Sequence, residues 1–138
     1  MYLDKGVLKG TLIESPTGTK ISEFFKKGDY VYTMGRNTGN PEETVIEDII
    51  FGWCMGLVYM EYDNKYIQLP RGQYVNTDRG VMKAENVERG DSLLGISHTC
   101  RQAEYPVEKI SLFDTAAPVR RFRLEDDTGF FAELVRVF

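Results

Sequence analysis

Ser97-His98-Thr99-Cys100 places the chain's single histidine beside two hydroxyls and one of its two thiols, the ingredients of base-assisted nucleophilic attack. Neighbouring residues of a strand point to opposite faces, so neither Ser97 nor Thr99 simply pairs with His98. No carboxylate is identifiable to orient the ring either. A surface or turn histidine is expected, with no catalytic residue here. Glu125-Asp126-Asp127 supplies carboxylates, but EF-hand spacing is absent and hard cations need more oxygens than one turn provides. That cluster reads as a solvated turn, and the sequence calls for no metal or cofactor. Cys54 and Cys100 lie in no CxxC or other metal-ligand spacing, and two cysteines cannot build a disulfide framework. Free or buried thiols follow.

The elements that would position any such chemistry are strands. Thr44 to Phe51, Leu57 to Tyr62, Tyr66 to Leu69, Val107 to Leu112, Val119 to Leu124 and Phe130 to Val137 are β-branched or aromatic runs divided by Gly, Asn, Asp or Pro. No long amphipathic helix is visible, so the class is all-β. Asp63-Asn64-Lys65 predicts a hairpin turn. Gly35 to Glu43 is the most polar, breaker-rich stretch and predicts an exposed loop.

A repeat organises these strands. With the chain slid over itself by 62 residues, Thr11 to Tyr32 falls on Gln73 to Leu94, with identities Gly18/Gly80, Glu23/Glu85, Gly28/Gly90 and Asp29/Asp91. Each copy reads strand, Gly turn, short amphipathic stretch, Gly-Asp turn, strand. The glycines suit positive φ, and the aspartates can bond nearby amides. Between Gly18 and Gly28 the stretch is too short for a free helix, which predicts one helical turn or an extended corner pinned by Ile21 and Phe25. One domain spanning 1–138 is expected, with repeat units at about 11–32 and 73–94 and a pseudo-twofold arrangement.

Composition narrows the function. Hydrophobic residues at 42% and charged residues at 28% describe a folding chain rather than a disordered one. A net charge of -4 disfavours nucleic acid, and Lys26-Lys27 and Arg120-Arg121 are too short to reverse that. The opening residues lack a signal-peptide core, and no apolar run is long enough to cross a bilayer, so no membrane contact and a cytoplasmic location are expected. Trp53, Cys54, Met55, Tyr59, Met60 and Tyr62 form an aromatic and sulfur-rich region. Core packing is its default role, but such residues also favour protein interfaces. Trp53, Met55 and Tyr59, with Arg36 and Asn37 of the polar loop, are the candidate partner contacts.

Gly10-Thr11-Leu12-Ile13, Gly18, Ile21-Ser22-Glu23-Phe24 and Gly28-Asp29-Tyr30-Val31, followed by Gly80-Val81-Met82-Lys83-Ala84 and Gly90-Asp91-Ser92-Leu93, resemble the Hint (Hedgehog/intein) family. Phe130-Phe131-Ala132 resembles its closing strands, so the likeness runs from about residue 6 to 138. It implies a compact β-fold and a self-splicing site, and three positions depart from that site. The attacking thiol or hydroxyl belongs at Gly6, which has no side chain. The internal histidine belongs at Gln73 or its neighbours, and Gln can donate a hydrogen bond but transfers no proton near neutrality, which leaves only a polarising role. The closing His-Asn is replaced by Arg136-Val137-Phe138. Only five residues precede Gly6 and none follow Phe138, so flanking segments to be joined are not expected.

The resemblance therefore implies a degenerate, non-catalytic Hint module acting in structure, assembly or protein binding. Because short stand-alone members occur among phage-encoded proteins, a virion component is one expectation. The competing expectation is an autoprocessing domain using an atypical nucleophile, Cys54, Cys100 or Ser97.

Overall fold

Two-residue turns with left-handed backbone and Gly-Asp corners fold the chain into short antiparallel ribbons. The computed structural model describes residues 1–35, 38–126 and 128–138. The strands of the first half are β1 (Val7–Leu8), β2 (Leu12–Ser15), β3 (Gly18–Ile21), β4 (Tyr30–Met34), β5 (Pro41–Cys54), β6 (Leu57–Tyr62) and β7 (Lys65–Pro70). The second half supplies β8 (Tyr74–Thr77), β9 (Gly80–Lys83), β10 (Ser92–Ile96), β11 (Gln102–Pro106), β12 (Lys109–Phe113), β13 (Ala117–Leu124), β14 (Phe130–Ala132) and β15 (Val135–Val137). Among the described residues they form a four-stranded sheet β1-β13-β5-β4, an eight-stranded sheet and a three-stranded sheet β12-β6-β7. The eight-stranded sheet runs β11-β10-β8-β15-β14-β2-β3, with β9 paired to β8.

The repeat of the sequence is a repeat of hydrogen bonds. Ser22 N donates to Thr11 O as Ala84 N donates to Gln73 O, both at 2.8 Å. At the Gly-Asp corners, Lys26 N donates to Asp29 Oδ2 and Glu88 N to Asp91 Oδ2, again both at 2.8 Å. Gly28 and Gly90 sit at φ 94° and 95°, the left-handed region that glycine enters without a Cβ penalty. The short stretch becomes a 3-10 turn in each copy, Ser22–Phe24 and Ala84–Asn86. Phe25 pins the first turn, as the pattern predicts, but its second anchor is the fully buried Ser22, and Ile21 is only half-buried. Ser22 fills that place because its hydroxyl has a partner, donating to Leu8 O at 3.0 Å.

Three expectations change. The polar run from Gly35 does not stay a loop to Glu43, because β5 begins at Pro41 and Glu42 and Glu43 pair with Thr33 and Tyr32. Backbone pairing needs no apolar side chain there, and both glutamates remain exposed. Arg36 and Asn37 lie outside the described residues. Phe130 to Val137 is two strands rather than one, broken at Glu133 and Leu134, whose φ values are 49° and 70°. This turn lets β14 pair with β2 while β15 pairs with β8 and β10, so the hairpin joins both copies. Gln102–Pro106, not expected as a strand, pairs along all five residues of β10.

The main core unites residues of both halves, including Ile13, Val31, Val75, Leu93, Phe131 and Val135. Leu3, Cys54, Leu57 and Val119 form a smaller second cluster. The Asp63-Asn64 turn is as the sequence predicts, with φ 46° and 58° at its two central residues and Tyr62 opposite Lys65.

Glu133 gives the fold a pH-sensitive point. Its N donates to Leu12 O at 2.8 Å and its carboxylate accepts from Leu12 N at 2.5 Å. Burial raises the Glu133 carboxyl above the ordinary glutamate value, and the Leu12 amide offsets part of that rise. A raised folded-state value means that the group's favourable contribution is complete below the unfolded-state value and is lost as pH rises through the folded-state value. Accordingly, the stability of the wild-type chain relative to Glu133→Gln should fall between acidic and neutral pH, as urea midpoints of the two proteins will show.

Candidate functional site

Gly6, Gln73 and Phe138 meet in space although they are spread over the length of the chain. Gly6 precedes β1 of the four-stranded sheet, whereas Gln73 precedes β8 and Phe138 follows β15 of the eight-stranded sheet, so the three meet where the two sheets adjoin. Gly6 N donates to Gln73 Oε1 at 2.8 Å in a buried contact. On its other side Gln73 Nε2 donates to Tyr74 O at 3.0 Å and to Phe138 O in a short contact. Phe138 N in turn donates to Tyr74 O at 3.0 Å. With an N–H facing one end of the amide and two carbonyls the other, its orientation is fixed chemically. Gln73 is 2% exposed, so these bonds form out of water, where an unpaired group is costly.

This corrects the role expected of Gln73. It does not donate toward the amide at position 6; it accepts from it, and its own N–H groups are spent on carbonyls. The residue ties the start of β1 to the end of β15.

Gly6 is more than a missing side chain. Its φ is 132°, and a Cβ there would lie 2.7 Å from Arg120 O. Arg120 sits on β13 directly opposite Val7, so the carbonyl that closes over Gly6 belongs to a paired strand. A cavity of about 360 Å³ opens beside the group, lined by Gly6, Gln73, Arg121, Arg123, Gly129 and Phe138 among others. Arg136 packs on the Phe138 ring, its guanidinium 4.9 Å from the ring centre, and donates from Nε and Nη2 to Thr128 O at 3.0 and 2.8 Å. Burial lowers the Arg136 value below that of a free guanidinium. Nothing local in the sequence marks the parts played by Arg120 and Arg136, because no residue pattern signals a carbonyl that roofs a glycine.

The alternative nucleophiles lie elsewhere in the fold. Ser97 to Cys100 forms the turn between β10 and β11, with His98 and Cys100 exposed and Ser97 Oγ bonded to Thr99 Oγ1 at 2.9 Å. Cys54 is 1% exposed at the end of β5. Both thiols are free. No group of three or more His, Cys, Asp or Glu able to hold a metal occurs among the described residues; Asp127 lies outside them.

Of the candidate contacts, Trp53 and Met55 are 54% and 64% exposed. Tyr59 is half-buried on β6, where its hydroxyl donates to Glu61 at 2.9 Å and its ring stacks on Tyr66 at 5.4 Å. The aromatic region thus divides by strand alternation, with Cys54, Met60 and Tyr62 turned inward.

Two hydrogen-bonded half-units, closed by a hairpin that pairs with both and meeting where the first position faces the last strand, define a Hint-fold domain. The same fold occurs in a bacterial intein-like domain from Clostridium thermocellum, with a TM-score of 0.83 and 22% identity over 96% of each chain. It occurs in the DnaX mini-intein from Spirulina platensis, with a TM-score of 0.81 and 18% identity, covering 96% of this chain and 98% of that one. A DnaB intein from Synechocystis aligns at a TM-score of 0.81 and 11% identity over 96% of both chains. No family model and no curated protein matches the chain.

Proposed function

We propose that this chain is a non-catalytic Hint-fold module with a structural, assembly or protein-binding role. The observation that carries this reading is the backbone at Gly6. An acyl shift at position 6 needs a side-chain oxygen or sulfur there, and φ of 132° beneath Arg120 O leaves no room even for Cβ. The departing amide nitrogen must also gain a proton. Gln73 turns a carbonyl oxygen toward that N–H and has no proton to give. Trp53 and Met55, exposed on and just beyond β5, supply the apolar surface that a protein contact would use.

Intact-mass spectrometry tests the proposal. The wild-type chain should keep its full-length mass with or without hydroxylamine or dithiothreitol. Gly6→Cys should also stay intact and lose about 2–3 kcal/mol of stability, from left-handed backbone strain together with the collision at Arg120. Cleavage of the wild-type chain that Cys100→Ala abolishes would establish the autoprocessing alternative instead.

A further inference from the structure

We propose that residues 1–5 are a resident peptide, strand-paired at Tyr2, in a berth that accepts the same segment from a second copy of this chain. The inference does not rest on the reading of Gly6 as non-catalytic. Tyr2 bridges Trp53 in parallel, Leu3 N donates to Trp53 O at 2.7 Å, and Trp53 N donates to Met1 O at 2.8 Å. This is β-strand addition in cis, in which backbone bonds hold the segment and a side-chain pocket selects it.

The pocket is that of Leu3, which is 9% exposed and packs with Cys54, Leu57 and Val119. Two glycines leave the necessary space. A Cβ at Gly52 would lie 2.6 Å from Met1 O and 2.7 Å from Leu3 Cγ, and one at Gly72 would lie 2.9 Å from Asp4 O. Beyond Leu3 a cavity of about 310 Å³ holds Asp4 together with Arg71 and Lys83. Arg71 pairs through Nη2 with Asp114 at 2.5 Å, its Nε is buried without a hydrogen-bond partner among the described residues, and Glu85 shares the cavity wall. The berth therefore reads an extended backbone and a leucine-sized side chain.

Two backbone bonds and one buried leucine are a small fraction of the fold, so the segment can leave without global unfolding. An identical element from another copy then fits the vacated place, as in strand exchange.

Cys54 reports on occupancy because Leu3 packs against it. In a Cys100→Ser background, where Cys54 is the sole thiol, Leu3→Ala should raise the rate of reaction with an aromatic disulfide reagent at least about tenfold. Millimolar synthetic Met-Tyr-Leu-Asp-Lys should slow it again, and the same peptide with alanine in third place should not. Equal rates with Leu3 and Leu3→Ala, or no protection by the peptide, would overturn the proposal. Should Leu3→Ala fail to fold, hydrogen exchange on the unmutated chain decides. Amides of Leu3 and Trp53 exchanging together and at least about tenfold faster than Val58 support the berth, and exchange at the core rate rejects it.

Discussion

Gly95→Ala should be the most damaging single-methyl change in the molecule, lowering stability by about 3–5 kcal/mol. Gly95 sits in β10 between Ala103 of β11 and Val135 of β15. A Cβ built there falls inside the van der Waals surface of the Leu134 carbonyl oxygen. That oxygen cannot retreat cheaply, because it already accepts from Ile96 N at 2.9 Å and belongs to a turn whose two residues have left-handed backbone. The strand pair must therefore separate, taking with it the packing of Leu134 and Val135. Chemical denaturation of the purified variant checks the size of the loss. A change under about 1 kcal/mol would show that β10 and the closing turn are not held as closely as described.

The second large effect is expected at Gln73. Gln73→Met preserves side-chain volume but deletes the amide, leaving Gly6 N and Phe138 O without their buried partner. Tyr74 O keeps the bond from Phe138 N. Two unsatisfied backbone groups at 1–3 kcal/mol each suggest a cost of about 3 kcal/mol, reduced to the extent that water enters from the neighbouring cavity. Gln73→Glu separates donor from acceptor. Its carboxylate could still accept from Gly6 but would face Phe138 O with negative charge, whereas the protonated acid can donate to it. Burial and the facing carbonyl favour the neutral acid in the folded state, so Gln73→Glu should gain stability relative to wild type as pH falls from neutral. Thermal unfolding of both variants at two pH values tests this. Equal destabilisation by Gln73→Met and Gln73→Glu at every pH would mean that the bond to Phe138 contributes nothing.

Much of the architecture could be read in the residues, and the exceptions have physical causes. The duplication was visible because Gly28-Asp29 and Gly90-Asp91 need particular residue types, a backbone without Cβ and an oxygen within reach of an amide three residues back. Asp63-Asn64 announced its turn for the same reason. Glu133-Leu134 adopts a similar conformation with no such signal. Both residues are held by tertiary bonds, since Tyr62 Oη donates to Glu133 O at 2.8 Å and Leu134 is buried. Tertiary context overrode local preference, and an apolar run that continues through a turn looks like one strand. Gly95 did carry a hint, as an isolated glycine within a strand often marks a close backbone approach. At the candidate site, Gly6, Gln73 and Phe138 were identifiable as positions. Their relation was not, because whether an amide donates or accepts depends on which backbone groups face it from residues 65 and 67 places away.

The closing hairpin also sets the order in which the molecule can be made. Glu133 N reaches Leu12 O in the first copy, and Phe138 N reaches Tyr74 O in the second. Until residues 130–138 leave the ribosome, neither half has its last neighbour, and both present unpaired strand edges to solvent. Pairings between residues so far apart in sequence form slowly. The fold therefore cannot lock until residues 130–138 are available, and the interval before they arrive is when the nascent chain is open to aggregation or to a chaperone.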